Sequence, residues 1–482
     1  MEEKELTRLA QRIFGPADQR QFASVSGDQN PIHVDALSAR RTQGGAPVVH
    51  GINLLLWSFD SLASALLDLP PLRSFSAKFS RFVYLGEQVE LRLVQQEPHC
   101  SRLSFSVDND IRSEIAIEFG DPERHLPPWV DRSLAPQSPA SAALDPSLEQ
   151  IAERGGNLAF CMTTEQAATL FPSAARWLGV RRIMSLAASS YLVGMVCPGL
   201  HSLYSELSIE TCPDSDALDF LAYRVSKTYP RLRLVKQEIA GGGITGTVTC
   251  FVRTPPAQQA TMESLAGLVD PAEFTGSVAL IVGGSRGLGE LTAKLIATGG
   301  GRVLITWQSG SEDAERVARE IRSAGGACAT LAYDAQKPAE EQLAGLAHVP
   351  THAYYFATPP IFRSQAELFS RERLKEFLAI YVEGFWQLSQ ALRARCPELS
   401  MFYPSSVAVA ERPRGMTEYS MAKAAGEILC ADMNVSLAPM RVIAVRLPRL
   451  PTDQTASVTA AKFADPVDTM LPIVREVQSW PR

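Results

Sequence analysis

The sequence holds no apolar run near the roughly 18–20 residues that a membrane-spanning helix needs, so no membrane span is expected. Its opening residues, MEEKELTRLAQRIFG, are charged and amphipathic, unlike the apolar stretch of a secretory leader. There is no excess of positive charge. The chain has 46 Lys and Arg against 52 Asp and Glu, a net −6 that gives no global pull toward nucleic acid or anionic lipid. The eight Cys, at 100, 161, 197, 212, 250, 328, 396 and 430, include no CxxC pair. Neither they nor the seven His cluster at ligand spacing, so no metal site is expected. Dispersed cysteines without a leader suit reduced core thiols in a cytoplasmic protein. What remains is an ordinary globular balance, 46% hydrophobic and 20% charged, over 482 residues. That length suits about two to four domains.

Two composition breaks divide the chain. Residues 121–146 are rich in Pro, Ser and Ala and read as an extended connection. Residues 253–275 open on RTPPAQQAT and read as a second boundary. The two segments before that boundary look like distant copies of one plan. In the first, VVHGINLLLWSFDSLASALL is a long apolar helix candidate, followed by alternating strands with Gly and Asp-Asn turns. In the second, RIMSLAASSYLVGMV is the helix and LHSLYSELSIETC opens the strands. A buried helix followed by antiparallel strands suits a sheet wrapped around a helix, and two such units would share a core. The third segment changes character. SVALIVGG reads as a strand buried on both faces, and strand and helix then alternate, which predicts a parallel sheet with a crevice at its carboxyl ends.

The stretch FASVSGDQNPIHVD, with GAPVVHG downstream, resembles the MaoC-like hot-dog family of R-specific enoyl-thioester hydratases and dehydratases. The match falls at Phe22, Ala23, Asp28, Asn30, Pro31, His33 and Asp35, then at Pro47, His50 and Gly51, within roughly the first 120 residues. Removing water from a 3-hydroxyacyl thioester takes a weakly acidic α-proton and expels hydroxide, so it needs a base and an acid within reach of one substrate. The resemblance implies that Asp28 and His33 are this dyad, with the handler of the α-proton left open. It implies that the Gly51 N–H, at the positive end of the buried helix, donates to the thioester oxygen as it gains charge. Asn30 is expected to hold the site, and His50 to support it. The second copy has neither Asp-x-Asn-Pro-x-His nor His-Gly. It is expected to be a non-catalytic half that completes the core and an acyl tunnel, with His201 structural.

LIVGGSRGLGE places Gly283, Ser285, Arg286, Gly287, Leu288 and Gly289 between a strand and a helix, with GxxxGxG spacing. YSMAK places Tyr419 and Lys423 four apart on one helix face, and Ser406 lies thirteen residues before the tyrosine. Together these resemble the short-chain dehydrogenase/reductase family over roughly residues 276–450. The resemblance implies that Tyr419 gives a proton to a carbonyl, that Ser406 supports the carbonyl oxygen, and that Lys423 lowers the tyrosine's pKa and holds the nicotinamide ribose. Asp334 and Ala357 match cofactor positions. No carboxylate ends the second strand, which reads Trp307-Gln308-Ser309, and Arg286 could meet a 2′-phosphate. NADPH is therefore expected rather than NADH. Three departures stand out. YFATPP replaces the family's Asn-Asn-Ala-Gly. Tyr381 stands where an Asn normally holds a relay water. The chain also ends without the family's last strand, so a homo-oligomer other than the tetramer, a dimer, is expected.

The expected fold is thus multidomain: an α+β double hot-dog half, then an α/β Rossmann-type doubly wound parallel sheet. The boundaries are 1–124 for the MaoC-like domain, 140–256 for the second hot-dog and 275–482 for the reductase. A 3-ketoacyl reductase makes the 3-hydroxyacyl thioester that a dehydratase consumes. The joint expectation is a cytoplasmic enzyme of both activities, on acyl-carrier-protein or coenzyme A thioesters, in fatty-acid-like or polyketide-like biosynthesis. Two alternatives stay open: a single active domain, or hydration followed by oxidation.

Overall fold

A computed structural model of the chain describes residues 7–42, 44–66, 68–216, 218–361, 368–455 and 463–480. They form two compact units, the first running to Pro255 and the second beginning at Pro256.

The first unit is one antiparallel ten-stranded sheet. Its strands are β1 (Thr7–Ile13), β2 (Leu72–Phe79), β3 (Gln88–Glu97), β4 (Cys100–Val107) and β5 (Asp110–Phe119), then β6 (Gly155–Ala159), β7 (Ser202–Thr211), β8 (Phe220–Tyr229), β9 (Leu234–Gly241) and β10 (Ile244–Val252). The order is β1-β3-β4-β5-β2-β7-β10-β9-β8-β6. Read inward from each edge, both halves run first, third, fourth, fifth, second. The two copies seen in the sequence are therefore one topology repeated. They join where β2 pairs β7, from Ser74 opposite Glu210 to Lys78 opposite Glu206. The Asp108-Asn109 turn between β4 and β5 has positive φ at both residues, 49° and 62°, as a tight hairpin requires.

Three helices position the first site: α1 (Pro16–Ser26), α2 (Gly51–Ala65) and α3 (Val180–Tyr191). Helix α2 is apolar on nearly every face. Ile52, Leu55, Phe59 and Leu62 are fully enclosed, as befits a helix wrapped by a sheet. They share one core with Ile183 and Leu186 of α3 and with Phe75 and Leu207 of the joining strands. The α-helix of the second half is shorter than the sequence pattern predicts. It stops at Tyr191, and Leu192–Val196 continues as a wider π-type turn. The connection at residues 121–146 has no helix or strand, though Gln137 bonds the backbone of Asn157 and Ala159 beside β6.

The second unit is a six-stranded parallel sheet: β11 (Val278–Val282), β12 (Arg302–Trp307), β13 (Cys328–Ala332), β14 (His352–Tyr355), β15 (Ser400–Ser406) and β16 (Arg441–Leu447). The order is β13-β12-β11-β14-β15-β16, which reverses direction between β11 and β14. Ligand crevices of doubly wound sheets lie at the carboxyl ends beside such a reversal. Helix α4 (Gly287–Thr298) follows β11, and α5 (Thr417–Ser436) carries Tyr419 and Lys423. The sequence pattern starts this domain at 275, yet Met262, Leu265, Val269 and Phe274 already pack into its core. No helix of the described residues is long and apolar enough to cross a membrane.

Candidate active sites

The first site begins at the end of α1. Asn30 caps the one-turn helix Pro31–Val34, its Oδ1 accepting from the Ile32 N–H at 3.1 Å. Pro31 fits the first helical position, where no N–H is needed. This turn sets His33 beside Asp28. The ligating atoms of Asp28, His33 and His50 all lie within 4.8 Å of one another. His33 Nδ1 meets the Val48 carbonyl at 2.8 Å. The His50 ring stacks on His33 with centroids 3.9 Å apart. Both His50 nitrogens are engaged, Nδ1 with Gln19 Oε1 at 3.2 Å and Nε2 with the Asp28 carbonyl at 3.1 Å. His50 thus spends both ring nitrogens on protein partners, whereas His33, among the described residues, spends only Nδ1.

The carboxylate of Asp28 is buried. Its Oδ2 accepts from the Ser190 hydroxyl at 2.6 Å and its Oδ1 from the Asn30 N–H at 3.2 Å. Ser190 belongs to α3, in the second half. Just after α3, Gly194 packs so closely that a Cβ there would collide with the Asp28 carboxylate. Asn30 Nδ2 donates to the Gly194 carbonyl at 2.7 Å and lies 3.3 Å from those of Gly199 and Leu200. The half without a dyad therefore builds one wall of the site. Motif matching missed Ser190 and Gly194. The only signal was a pair of serines, Ser189 and Ser190, in the apolar second half of the helix.

Burial pushes the Asp28 carboxyl up, against the opposing pull of His33, Ser190 and the Asn30 N–H. Burial pushes His33 down. The Asp28 charge and the Val48 carbonyl oppose that shift, and Arg253 adds to it. His50 falls well below the usual histidine range, by burial and by its neighbour His33. Burial thus favours the neutral form of each group, while their mutual attraction favours the charged pair. Gly51 opens α2, and no side chain caps that helix end, so its first N–H groups remain available. His201 is not isolated: its Nε2 lies 3.6 Å from Asp145 Oδ1.

The second site gathers at the carboxyl ends of β11, β14 and β15. The turn after β11 has φ of +78° at Gly283 and +58° at Gly287, where glycine is favoured. A Cβ at Gly289 would run into the Gly283 carbonyl. That close approach sets the uncapped N-terminus of α4 against the strand end. Ser285 lies in this turn, Leu288 in the first turn of α4, and Ala357 follows β14. Such a backbone cradle fits a dinucleotide pyrophosphate. Arg286 is not free: its Nη1 bonds Asp453 Oδ2 at 2.7 Å, and its Nε lies 3.8 Å from Asp313 Oδ2. Asp334 accepts from the Gln336 N–H at 3.0 Å.

Ser406 ends β15 and hydrogen-bonds Tyr419. Burial raises the Tyr419 hydroxyl's pKa, and the Ser406 bond pulls it back. Lys423 is buried. Its Nζ donates to the Pro404 carbonyl at 2.7 Å, and burial pushes its pKa down to about 7. It sits 3.8 Å from the Tyr381 ring centroid, 5.1 Å from that of Tyr403 and 5.9 Å from that of Tyr419. Tyr381 therefore covers the ammonium with its ring, and its hydroxyl points to Thr358 Oγ1 at 2.5 Å.

Comparison with known proteins divides the chain in the same way. Residues 2–113 match the MaoC like domain family, and residues 277–351 the short chain dehydrogenase family. The chain is 37% identical over 84 residues to a mitochondrial 3-hydroxyacyl-[acyl-carrier-protein] dehydratase of Arabidopsis thaliana, covering 17% of this chain and 49% of that protein. It is 37% identical over 86 residues to an (R)-specific enoyl-CoA hydratase of Aeromonas caviae, covering 18% of this chain and 55% of that protein. The chain thus spans about half the length of the curated relatives it matches. A short chain dehydrogenase of Burkholderia cenocepacia, solved with NADP, aligns at 22% identity and TM-score 0.38, over 42% of this chain and 91% of that one.

Proposed function

From a chain that carries a MaoC-like domain at its N-terminus and a short-chain dehydrogenase domain in its C-terminal part, we propose a bifunctional 3-ketoacyl-thioester reductase and 3-hydroxyacyl-thioester dehydratase. The observation that carries the reading is buried Asp28 beside half-buried His33, two groups each pushed toward its neutral form. In dehydration, neutral His33 takes the α-proton as the C–H bond breaks and the double bond forms. Protonated Asp28 gives its proton to the 3-hydroxyl, which leaves as water. The uncapped N-terminus of α2, led by Gly51, donates to the thioester oxygen while it carries enolate charge. Hydration is the same path reversed.

For the reductase half, a nicotinamide held in this crevice would supply a hydride to the ketone carbon. Ser406 would hold the carbonyl oxygen, and Tyr419 would deliver its proton there. Lys423 would stand behind the tyrosine as the positive charge that eases proton release. The turn at Gly283–Gly289 would hold the pyrophosphate, with Asp334 and Ala357 beside the rest of the cofactor. NADPH fits the carboxylate-free end of β12, although Arg286 must share its charge between Asp453 and Asp313 and a 2′-phosphate. One of the curated relatives is named for a carrier-protein thioester and the other for a coenzyme A thioester, so both carriers are substrates to try. An apolar stripe on α5, Met421, Ile428 and Val435, is exposed by 42%, 64% and 85% and supports assembly with a second copy.

A second reading, a hydratase whose reductase half is slow, is favoured by one observation: the Tyr381 ring occupies the space over Lys423 where a relay water would sit. Incubating 3-ketoacyl thioesters on both carriers with NADPH or NADH, and weighing the products, separates the readings. Enoyl product from ketoacyl substrate supports the bifunctional enzyme. Dehydration of added 3-hydroxyacyl substrate, with ketoacyl untouched, supports the second reading.

A further inference from the structure

Arg253 follows β10, at the end of the second hot-dog half. Its Nη2 donates to the Leu200 carbonyl at 2.9 Å. The same carbonyl lies 3.3 Å from Asn30 Nδ2. Asn30 in turn gives its backbone N–H to Asp28. One carbonyl oxygen thus links the guanidinium to the loop that holds the dyad. The Arg253 N–H also donates to the His201 carbonyl at 2.6 Å, which fixes the backbone at the root of the side chain.

The charge of this guanidinium is unbalanced. Its Nε is enclosed and without a partner, and no carboxylate of the described residues forms an ion pair with it. Burial pushes its pKa down to about 10, so it stays a cation at neutral pH. An unpaired buried cation is costly, and most proteins pair or expose it. The charged and titratable groups around it are His201, whose Nε2 lies 3.6 Å from Asp145 Oδ1, Arg233 and His33. Those around His33 are Asp28, the stacked His50 and Arg253, with Cys161 behind Asp28.

We infer that Arg253 is a positioning residue of the dehydratase site, an unpaired cation that steadies the Asn30 loop through the Leu200 carbonyl. It touches no reacting atom. Its effect is to keep the His33 imidazole neutral and ready to take a proton, against the opposite pull of Asp28. A motif search could not find it, because it lies 220 residues beyond His33 and belongs to the half without a dyad.

This inference rests on the dehydratase reading above. The test compares wild type, Arg253→Met and Arg253→Lys in the pH dependence of kcat/KM for hydration of a short enoyl thioester. Removing the cation lets His33 hold its proton to higher pH. The acid limb of Arg253→Met should therefore move up by about half to one pH unit, while Arg253→Lys keeps the wild-type limb. A uniform loss of rate with an unmoved limb would overturn the inference, as would a limb moved equally by both variants. Failure of both variants to fold would overturn it too, by making the role purely structural. NMR titration of the His33 ring, assigned with His33→Gln, separates this inference from the functional reading. If wild type hydrates nothing, the dehydratase reading fails. A higher His33 midpoint in Arg253→Met would still support the electrostatic link, and an unchanged midpoint would sink it.

Discussion

The Ser190 hydroxyl donates to Asp28 Oδ2 at 2.6 Å, across the join between the two hot-dog halves. The carboxyl that we propose as the acid is thus held by a residue from the half that has no Asp-x-Asn-Pro-x-His run. That half is needed because its helix supplies the wall against which the carboxyl is buried.

Replacing Ser190 with Ala removes a buried hydrogen bond to a group that changes charge. The expected cost is about 1–2 kcal/mol in the transition state, or roughly tenfold or somewhat more in kcat/KM for hydration. Gly194→Ala should cost more, since its methyl would displace the carboxyl itself. Steady-state kinetics on an enoyl thioester, with circular dichroism to confirm folding, measure both.

Asp28→Asn should abolish hydration and yet stabilise the fold. The Asp28 pKa is raised in the folded chain, so its contribution to stability is fully present below the unfolded value, near 3.8, and is lost as pH rises through the folded value. At pH 7 the wild type bears that loss and the amide does not. Thermal melts should show a higher Tm for Asp28→Asn at pH 7, with the gap closing toward pH 4.

Lys423 has the same logic with a cation. Its folded pKa of about 7 lies below the ordinary 10.5, so the fold holds fewer protons than the unfolded chain between those values. Stability should therefore rise with pH across that window. Lys423→Met should melt higher than wild type at pH 6, and the two should converge by about pH 10.

Much of both sites could be read from the sequence because the reacting groups come in short runs. Asp28 to His33 and Tyr419 to Lys423 are each set by one turn of chain, so spacing alone fixes their geometry. Ser190, Gly194 and Arg253 could not be found in that way. They are ordinary residue types, more than 150 positions from Asp28, and the pairing of β2 with β7 and the core shared by the helices bring their half beside it. The edge strands were hidden for another reason. β1 is largely exposed and β6 is five residues with two glycines, so neither shows the apolar alternation of an inner strand.

The Tyr381 ring lies over Lys423, its centroid 3.8 Å from Nζ, and we propose that it limits the rate of the reductase half. If the ring closes the water route to Lys423, Tyr381→Asn should raise ketoacyl reduction up to about a hundredfold, the lower end of general acid–base catalysis. Tyr381→Phe keeps the ring and should leave the rate within about twofold of wild type, showing that the ring, not the hydroxyl, is the barrier. NADPH consumption at saturating substrate measures all three proteins.

The central claim is that one chain carries a 3-ketoacyl thioester through both steps. Mass analysis of a single 3-ketoacyl substrate with NADPH tests it in wild type, His33→Ala and Tyr419→Phe. Wild type should show a gain of two hydrogens followed by loss of one water. His33→Ala should stop after the hydrogens are gained. Tyr419→Phe should leave the ketone intact while still dehydrating added 3-hydroxyacyl thioester. Enoyl product from His33→Ala, or wild-type reduction by Tyr419→Phe, would contradict the account.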